Sequence, residues 1–416
     1  MEQKDFKIAL MSNAPFSPSG YGVQSQGMIF DWAKTYNARM ICNYGLEGSK
    51  LGLNNVIHYP KLPGDNHGSK TSALIFANWN PHIFITLYDI WMGAYIHDNP
   101  NSPIGVSPIH PYWIPIVMVD HDPIPEGTLI SAKAAYKVVT PSLFGIEQFK
   151  KHDIDAQLIP FGVDVDTFKP LTEEERGECK EKLNNRSLVF NLQKNTTITK
   201  DDFLIVMNSA NKDPYRKDFP RALTALQIFL QNNPDAQKDT RMYIHSWMRQ
   251  SRDIPHCAKV LYVDQYCRGT ADYHNLCGVP PQILNEIYNA GDVFLHTSQG
   301  GGFEIPLLEA SSAGVPSIAQ DFVGFKELIR DHGWLIKPKT KYFTQLDGLQ
   351  AIADEYEIAD AIEDAYNHPD KRKKMGNKAR KFALNFKWSI INREWHKVFD
   401  EIIDEISYKP LSVRQL

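Results

Sequence analysis

The 416-residue chain contains no apolar run that approaches the roughly 20 residues of a membrane-spanning helix. Its first six residues carry charges of both signs and lack the long apolar core of a secretory signal. Apolar residues make up 43% of the chain and charged residues 23%, as in an ordinary folded globular protein. These features lead us to expect a cytoplasmic protein.

The chain also lacks an excess of positive charge. Its 45 Lys and Arg residues stand against 49 Asp and Glu residues, which gives a formal net charge of −4. A chain of this charge has no general attraction for polyanions, so nucleic acid is not expected as its main partner. An acidic ligand would have to be held by local geometry.

Cysteine is scarce and scattered. Five cysteines, an odd number, argue against a disulfide framework and for a reducing environment. His256, Cys257, Cys267, His274 and Cys277 could suggest a metal site, but no pair among them has the close spacing that structural zinc uses. We therefore expect no metal site there.

The length of the chain favours two domains over one hydrophobic core. Short β-rich runs alternate with segments long enough for helices, which predicts an α/β fold with parallel sheets. The predicted strands of a first series are 7–11, 40–43, 83–87, 114–119, 137–140 and 157–160. Those of a second series are 203–208, 241–246, 260–263, 293–296 and 317–319, with helices at 219–230, 281–290 and 307–313.

Residues 161–170 have the turn residues and the closing proline of a linker, and they lie where the two series meet. We therefore predict a first doubly wound domain at residues 1–168 and a second at 169–388. Apolar residues at helical spacing, Trp388 and Trp395 among them, predict that the last segment, 389–416, is a helix packed on the body.

The most informative segment runs from Gln299 through three consecutive glycines to Glu309. It follows a predicted strand and precedes a helix that opens near Pro306, the order that ligand sites use in α/β sheets. The unpaired N–H groups of a helix start can hold a phosphate, and Glu309 could accept hydrogen bonds from a diol. Diphosphate and diol together describe a nucleotide sugar, although a glycine-rich turn can also be a simple tight connection.

Two loops of the first series carry further candidates. Gly20 and Gly22 follow the first strand, where backbone N–H groups could approach a phosphate or a hydroxyl. His121 follows the predicted strand 114–119 and stands between Asp120 and Asp122 at the rim where ligands bind, although it could simply cap the strand.

One major class of nucleotide-sugar transferases binds a divalent metal ion through an Asp-x-Asp pair, and Asp120-x-Asp122 has that spacing. That class normally has one sheet domain. The two series of strands therefore favour a site without metal.

In the second series, Lys212, Arg216 and Lys217 follow the first strand. The carboxyl ends of parallel strands share one edge of the sheet, so these residues would face the same crevice as the glycines. There they could neutralise a diphosphate. A solvated surface loop is the alternative.

Taken together, these segments resemble the retaining glycosyltransferase family four, the glycosyl transferases of group 1. The resemblance spans almost the whole chain, and the combination of motifs is specific although each one alone is not. The matching positions are the loop 19–22, His121, residues 159–164 with Phe168 and Pro170, Arg216-Lys217, the segment 301–309, Gly314-Val315-Pro316 and Trp388.

The resemblance implies the B-type fold, in which two Rossmann-like domains face a central cleft and a C-terminal helix crosses back to the first domain. It implies transfer of a sugar, with retention, from a UDP- or GDP-sugar to a hydroxyl of a glycan, a lipid or a small molecule. The first domain would lie on the acceptor side. No metal or other cofactor is expected.

Site roles follow from the resemblance position by position. Glu309 would bind the donor ribose, and Val279 would line the base. His121 would hydrogen-bond the donor sugar near the reacting carbon. The backbone of the glycine segment would hold the diphosphate or the sugar, Lys212 and Lys217 the phosphates, and the first loop the acceptor side; the further residues implied are Gly302, Phe303, Ile305, Pro306, Leu307, Arg216, Gly20 and Gly22.

Two positions depart from the family pattern. The family usually has a second glutamate eight residues before Glu309, where this chain has Gly301, and it has glycine where this chain has Glu304. We hypothesise that Glu304 takes over part of the missing contact to the donor sugar. Lys212 stands where the family more often has arginine, which keeps the charge but loses a planar two-pronged donor.

Two other functions fit the same residues. One is a different reaction on the same fold, such as that of a nucleotide-sugar epimerase or a phosphorylase. The other is a nucleotide-sugar-binding protein that lost its activity when the first motif glutamate became Gly301.

Overall fold

The computed structural model describes residues 2–98, 112–185, 189–191 and 197–408. Its α-helices are α1 (Gly20–Trp32), α2 (Ser69–Trp79), α3 (Tyr95–Asp98), α4 (Glu126–Lys133), α5 (Leu143–Lys150), α6 (Glu173–Lys182), α7 (Phe219–Asn232), α8 (Ile254–Val260), α9 (Asp272–Cys277), α10 (Pro281–Ala290), α11 (Ile305–Ser312), α12 (Phe325–Ile329), α13 (Glu355–Asn367), α14 (Pro369–Ala383) and α15 (Trp388–Tyr408). Its strands are β1 (Lys7–Asn13), β2 (Asn37–Tyr44), β3 (Leu51–Leu53), β4 (Val56–Pro60), β5 (Ile83–Thr86), β6 (Tyr112–Pro115), β7 (Val138–Thr140), β8 (Ala156–Leu158), β9 (Val189–Asn191), β10 (Phe203–Asn208), β11 (Thr240–His245), β12 (Cys267–Thr270), β13 (Val293–His296), β14 (Ser317–Gln320), β15 (Gly333–Ile336), β16 (Pro338–Phe343) and β17 (Leu349–Ala353).

The first sheet has the strand order β3-β4-β2-β1-β5-β6 and is parallel except for the β3–β4 pair. Beyond β6 a parallel bridge from Ile116 to Val139 leads to the small parallel sheet β7–β8. β1 is buried along most of its length because helices cover both faces, which explains its nearly continuous apolar sequence. We call this part, β1 to β8 with α1 to α5, the first lobe.

The second sheet has the order β15-β14-β13-β10-β11-β12-β9, in which only the edge strand β9 is antiparallel. The strand order reverses at β10, just as it reverses at β1 in the first sheet. Ligands bind outside the carboxyl ends of the strands at such switch points. We call this part, β9 to β17 with α6 to α14, the second lobe.

An antiparallel hairpin, β16–β17, extends from the second lobe, with residues 344–348 at its tip. It is fastened on both sides. The N–H of Ala351 donates to the carbonyl of Gln299 at 2.9 Å, and the N–H of Asp122 in the first lobe donates to the carbonyl of Leu349 at 3.1 Å. The hairpin therefore bridges the two lobes at the edge of the site.

The last helix, α15, packs on the first lobe. The ring centroid of Trp395 lies 5.3 Å from that of Trp32, and Phe399 lies 5.2 Å from Tyr36. At its first residue, the indole of Trp388 fills the space beside Gly27 and Gly162. The helix thus completes the core of the first lobe; the domain limits at residues 168 and 388 stay predictions, and residues 409–416 lie outside the described residues.

A carboxylate joins the lobes at a second place. Glu327 of α12 accepts hydrogen bonds from the N–H groups of Leu143 and Phe144 at 2.7 and 2.5 Å, at the start of α5 in the first lobe. These N–H groups have no partner within the helix, and the helix dipole favours a negative charge there. We call this contact the Glu327 latch.

One predicted strand is wrong. Residues 260–263 form the end of α8 and a turn, in which Tyr262 has a positive φ of 55°. The strand at that place in the sheet is β12.

Within the described residues, no helix is long and apolar enough to cross a membrane.

Candidate active site

The glycine loop, residues 299–304, leaves the carboxyl end of β13 and packs directly against the first lobe. A Cβ atom added to Gly302 would lie 2.6 Å from the Cβ of Met118, and one added to Gly300 would lie 2.7 Å from the carbonyl oxygen of Asp120. Both separations are too short for real atoms. Glycine is required here because the loop touches the segment that carries His121.

Two of the three predicted basic residues lie at this loop. The N–H of Gln299 donates to the carbonyl of Arg216 at 2.8 Å, and the Nη1 of Arg216 donates to the carbonyl of Gly300 at 3.2 Å. Lys212 lies apart from them: it is exposed, and its ammonium is 5.0 Å from the ring centroid of Tyr44 in the first lobe.

Glu304 is the centre of a buried ionic cluster. Its Oε1 accepts from the ammonium of Lys217 at 2.7 Å and lies 3.9 Å from the Nη1 of Arg216, while its Oε2 lies 3.3 Å from the Nε2 of His296. Glu304, Lys217 and His296 are all nearly inaccessible to solvent. The positive charge of Lys217 and the negative charge of Glu304 are thus held together where water does not screen them.

Burial alone would raise the pKa of Glu304, but Lys217, His296 and Arg216 together hold it well below its usual value. Burial lowers the pKa of Lys217 to about 8, against the attraction of Glu304. Burial also lowers the pKa of His296, so its imidazole is neutral at pH 7. At neutral pH the cluster is therefore an ion pair beside a neutral ring.

The space beside Gly301 is occupied by Glu304. A Cβ atom added to Gly301 would collide with the carboxylate oxygen Oε1 of Glu304 and lie 2.8 Å from the Cε1 of Phe325. The carboxylate of Glu304 therefore folds back against the backbone of residue 301, three residues earlier in the chain.

Glu309 is buried in the second turn of α11. Its Oε2 accepts from the hydroxyl of Tyr288 at 2.7 Å, and that hydroxyl accepts from the Nδ2 of Asn208 at 2.8 Å. Burial raises the pKa of Glu309 to about 7, although the Tyr288 bond lowers it. Because a carboxylate has two oxygens, Glu309 can keep this bond and also accept from a ligand hydroxyl.

His121 is 2% exposed and lies under the hairpin tip. Its Nδ1 is 2.7 Å from Oδ1 of Asp120, and its Nε2 is 3.0 Å from Oγ1 of Thr344. Asp122 turns elsewhere, toward the ammonium of Lys341 at 3.3 Å. The two carboxylates of the Asp-x-Asp pair therefore serve different partners, and within the described residues no group of three His, Cys, Asp or Glu side chains could hold a metal ion.

The first loop meets the start of α11. A Cβ atom on Gly20 would lie 3.9 Å from Ile305, which places the two helix starts side by side. The N–H of Gly22 donates to the capping hydroxyl of Ser19 at 3.1 Å and is therefore engaged within the loop.

At the start of α11 itself, Pro306 has no N–H group, and the N–H of Leu307 donates to the carbonyl of Glu304 at 3.1 Å. Donors for a phosphate have to come from the amides before Pro306. Among the residues there, Phe303 packs its ring 5.4 Å from that of Phe161 in the first lobe.

Val279 lines a small cavity in the second lobe together with Tyr243, Thr270 and Ile283. The preceding residue, Gly278, has a φ of 72°, and an added Cβ atom would lie 2.9 Å from Pro18 of the first lobe. The Val279 loop therefore faces the Ser17–Gly22 region across the cleft.

Three residues at this site were missed by the sequence reasoning. They are His296 at the end of β13, Thr344 at the hairpin tip, and Asp89, which follows β5 and accepts from the hydroxyl of Tyr21 at 2.9 Å. The position of His296 and Asp89 at or just beyond strand ends was a usable signal. The sequence around Thr344 contains no motif that predicts its contact with His121.

Comparison with known proteins shows which family and which fold this chain resembles. Residues 219–367 match the family model described as glycosyl transferases group 1. Sucrose-phosphate synthase from Thermosynechococcus elongatus has a superimposable fold, with a TM-score of 0.71 and 14% identity over 96% of this chain and 100% of that one. The chain has the B-type glycosyltransferase fold.

The resemblance to the group 1 glycosyltransferases and the prediction of two Rossmann-like lobes are thereby confirmed. Anabaena HepE, solved with UDP-glucose, has the same B-type fold, with a TM-score of 0.67 and 14% identity over 95% of this chain and 99% of that one. EpsD of Bacillus subtilis (strain 168), which is named as a glycosyltransferase, is 30% identical over 123 residues. That match spans 29% of this chain and 29% of EpsD.

Proposed function

We propose that this protein is a retaining glycosyltransferase that moves a sugar from a UDP- or GDP-sugar to a hydroxyl of an acceptor glycan, without a metal ion. The family match and the B-type fold support the reaction class. The complex of the similarly folded HepE with UDP-glucose supports a nucleotide-sugar donor.

The observation that carries the proposal is the cluster of Arg216, Lys217 and Glu304 at the glycine loop, beside the start of α11. When the bond from the sugar to the diphosphate breaks, negative charge grows on the departing oxygen. Preorganised cations and helix-start amides in a site shielded from water stabilise that charge strongly. We infer that this cluster holds the leaving group.

In this scheme Glu304 contacts the donor sugar. Its carboxylate occupies the space beside Gly301, where the family motif places a glutamate side chain. The pKa of Glu304 is held below its usual value, so the group stays an anion and accepts hydrogen bonds from sugar hydroxyls. Lys217 would then hold both this carboxylate and the diphosphate.

Glu309 would accept from the ribose diol while Tyr288 holds its other oxygen, and Val279 would face the base. The base, the ribose and the diphosphate would thus lie in order along the second lobe. His121, from the first lobe, would face the sugar. Tyr21 and Asp89, which are hydrogen-bonded to each other, would face the acceptor.

The test is a screen of UDP- and GDP-sugars for a rise in melting temperature, followed by assays of donor hydrolysis and of transfer to glycan acceptors. A ligand that binds only the folded state raises the melting temperature. We expect one donor class to stabilise the protein and to be consumed slowly in water and faster with an acceptor.

Lys217→Met should lower the turnover of that donor by about a hundredfold or more, since it removes a charge that faces the leaving group. The exposed Lys373 on α14 offers the matched control, Lys373→Met, which should leave turnover unchanged. Stabilisation without hydrolysis or transfer would identify a binding protein instead. Isomerisation of the donor without an acceptor would identify an epimerase, and sugar release that requires inorganic phosphate would identify a phosphorylase.

A further inference from the structure

The hairpin tip and His121 form one hydrogen-bonded unit, although 223 residues separate Thr344 from His121 along the chain. The imidazole is engaged at both nitrogens, by Asp120 at 2.7 Å and by Thr344 at 3.0 Å. With 2% of its surface exposed, the ring has little freedom to take another orientation.

Each partner holds one ring nitrogen of His121. The carboxylate of Asp120 accepts, so Nδ1 of His121 donates to it. Nε2 forms its hydrogen bond with the hydroxyl of Thr344, which also lies 3.2 Å from the carbonyl oxygen of Gly348. A side chain of the same shape without a hydroxyl could not make this contact.

The hairpin tip is itself held in place. The N–H of Thr344 donates to the carbonyl of Gly348 at 3.0 Å, which closes the turn. A Cβ atom on Gly348 would lie 2.6 Å from the Cβ of His121, so the turn packs directly on the histidine. The hydroxyl of Tyr342 donates to Oε1 of Gln299 at 2.5 Å, which ties the same hairpin to the glycine loop.

We propose that Thr344 is a positioning residue, whose hydroxyl, presented by the β16–β17 hairpin, holds the imidazole of His121 in one orientation toward the donor sugar. The proposal rests on the proposed function, since it gives His121 a sugar to face. The hairpin sets the geometry between the histidine of the first lobe and the glycine loop of the second. Thr344 acts through His121 and touches no reacting atom itself.

The first test does not depend on turnover. In ¹⁵N-histidine-labelled protein, with the His121 resonances assigned by their loss in His121→Ala, Thr344→Val should shift the Nε2 resonance of His121. Thr344→Ser, which keeps the hydroxyl, should leave it near the wild-type position. An Nε2 resonance that is the same in Thr344→Val and wild type would overturn the proposal.

The second test measures kinetics with the donor found in the screen. Thr344→Val should lower kcat on the order of tenfold to a hundredfold and leave the Kd of the free nucleoside diphosphate unchanged, because a misaligned group near the reacting carbon slows the reaction without weakening nucleotide contacts. Thr344→Ser should recover most of the rate. Thr340→Val, on the exposed part of β16, is the matched control and should behave as wild type.

The outcomes separate the two proposals. If wild-type protein neither hydrolyses nor transfers any donor, the function is wrong, and the Nε2 resonance still decides whether Thr344 holds His121. If wild type transfers sugar and Thr344→Val does so at the same rate, the positioning role is wrong and the function stands.

Discussion

At the scale of single residues, the exchange of a glycine and a carboxylate between positions 301 and 304 is the most distinctive feature of the site. Compared with the family pattern, the carboxylate is attached three residues later in the chain, and it folds back against the backbone of Gly301. The chain therefore departs from the motif in sequence but still carries an anion beside residue 301.

This leads to a prediction for a double substitution. Glu304→Gly alone should lower donor turnover by about a hundredfold, because the sugar contact is lost and Lys217 is left buried without its partner. Gly301→Glu combined with Glu304→Gly should restore part of the rate, since loss of the Glu304 carboxylate opens the space beside residue 301 and leaves the ring of Phe325 to move aside. Steady-state kinetics of the three proteins check this; a double variant no better than Glu304→Gly would contradict it.

Glu309 provides a prediction about stability and pH. Burial raises its pKa from 4.5 to about 7 in the folded protein, so the folded state binds this proton more tightly than the unfolded state does. Stability from this group is therefore fully present below pH 4.5 and is lost as the pH rises to 7. The shift corresponds to about 3 kcal/mol.

Glu309→Gln, which mimics the protonated side chain, should therefore unfold at a higher denaturant concentration than wild type at pH 8 and at an equal one near pH 4.5. Urea titrations at the two pH values measure this. The same variant should bind the donor more weakly, because an amide offers the ribose diol one acceptor oxygen where the carboxylate offers two. A variant no more stable than wild type at pH 8 would show that Glu309 carries no burial penalty.

At the scale of elements, the backbone of the glycine loop packs directly against the first lobe, with no room for a side chain between them. Gly302→Ala would place a methyl group 2.6 Å from Met118, and overpacking of this kind costs about 1–3 kcal/mol. We expect lower stability and reduced turnover, as the two lobes are pushed apart at the site.

The control for this variant is Gly127→Ala in α4, where an added Cβ atom meets nothing within 4 Å. A helical glycine replaced by alanine gains about 0.5–1 kcal/mol. Thermal melts of the two variants should therefore move in opposite directions, and equal shifts would mean that the lobes yield at Met118 without cost.

Elements with a strong pattern were predictable from the sequence, and elements held by distant contacts were not. The predicted helix at residues 281–290 coincides with α10, because its apolar residues recur at helical spacing after Pro280 and Pro281. The segment 260–263 was misread as a strand, whereas β12, with the sequence Cys-Arg-Gly-Thr, has little strand character of its own. Its pairing with β11 decides its structure.

The candidate site shows the same division. Strand ends, glycines and the helix start were readable because each depends on local sequence. The hairpin was not predicted because β16 is largely exposed and its sequence does not alternate apolar and polar residues. The contact from Thr344 to His121 was not predictable because it depends on the fold of both lobes. The hypothesis that Glu304 takes over part of the missing contact to the donor sugar stays a prediction; the structure places the carboxylate of Glu304 beside Gly301.

At the scale of the whole molecule, the Glu327 latch is a contact that must break if the lobes separate. Glu327→Ala removes two charge-assisted hydrogen bonds at the start of α5 and should favour separation. We expect a larger radius of gyration by small-angle X-ray scattering in the absence of donor, and a smaller difference when donor is bound.

Glu147→Ala is the control, since this exposed glutamate lies on the same helix and pairs with Lys151 of its own lobe at 3.0 Å. It should leave the radius of gyration unchanged. If both variants scatter as wild type does, the lobes are held together by the other contacts, those of the hairpin and the glycine loop.

The packing of α15 on α1 has a consequence for biosynthesis. Trp395 and Phe399 belong to the core of the first lobe, yet they are synthesised after the whole of the second lobe. The first lobe must therefore stay incomplete, with Trp32 uncovered, until the second lobe has emerged from the ribosome and could already be folded. Synthesis and completion of the two lobes then run in opposite order, and the emergence of α15 from the ribosome is the step that lets the first lobe close.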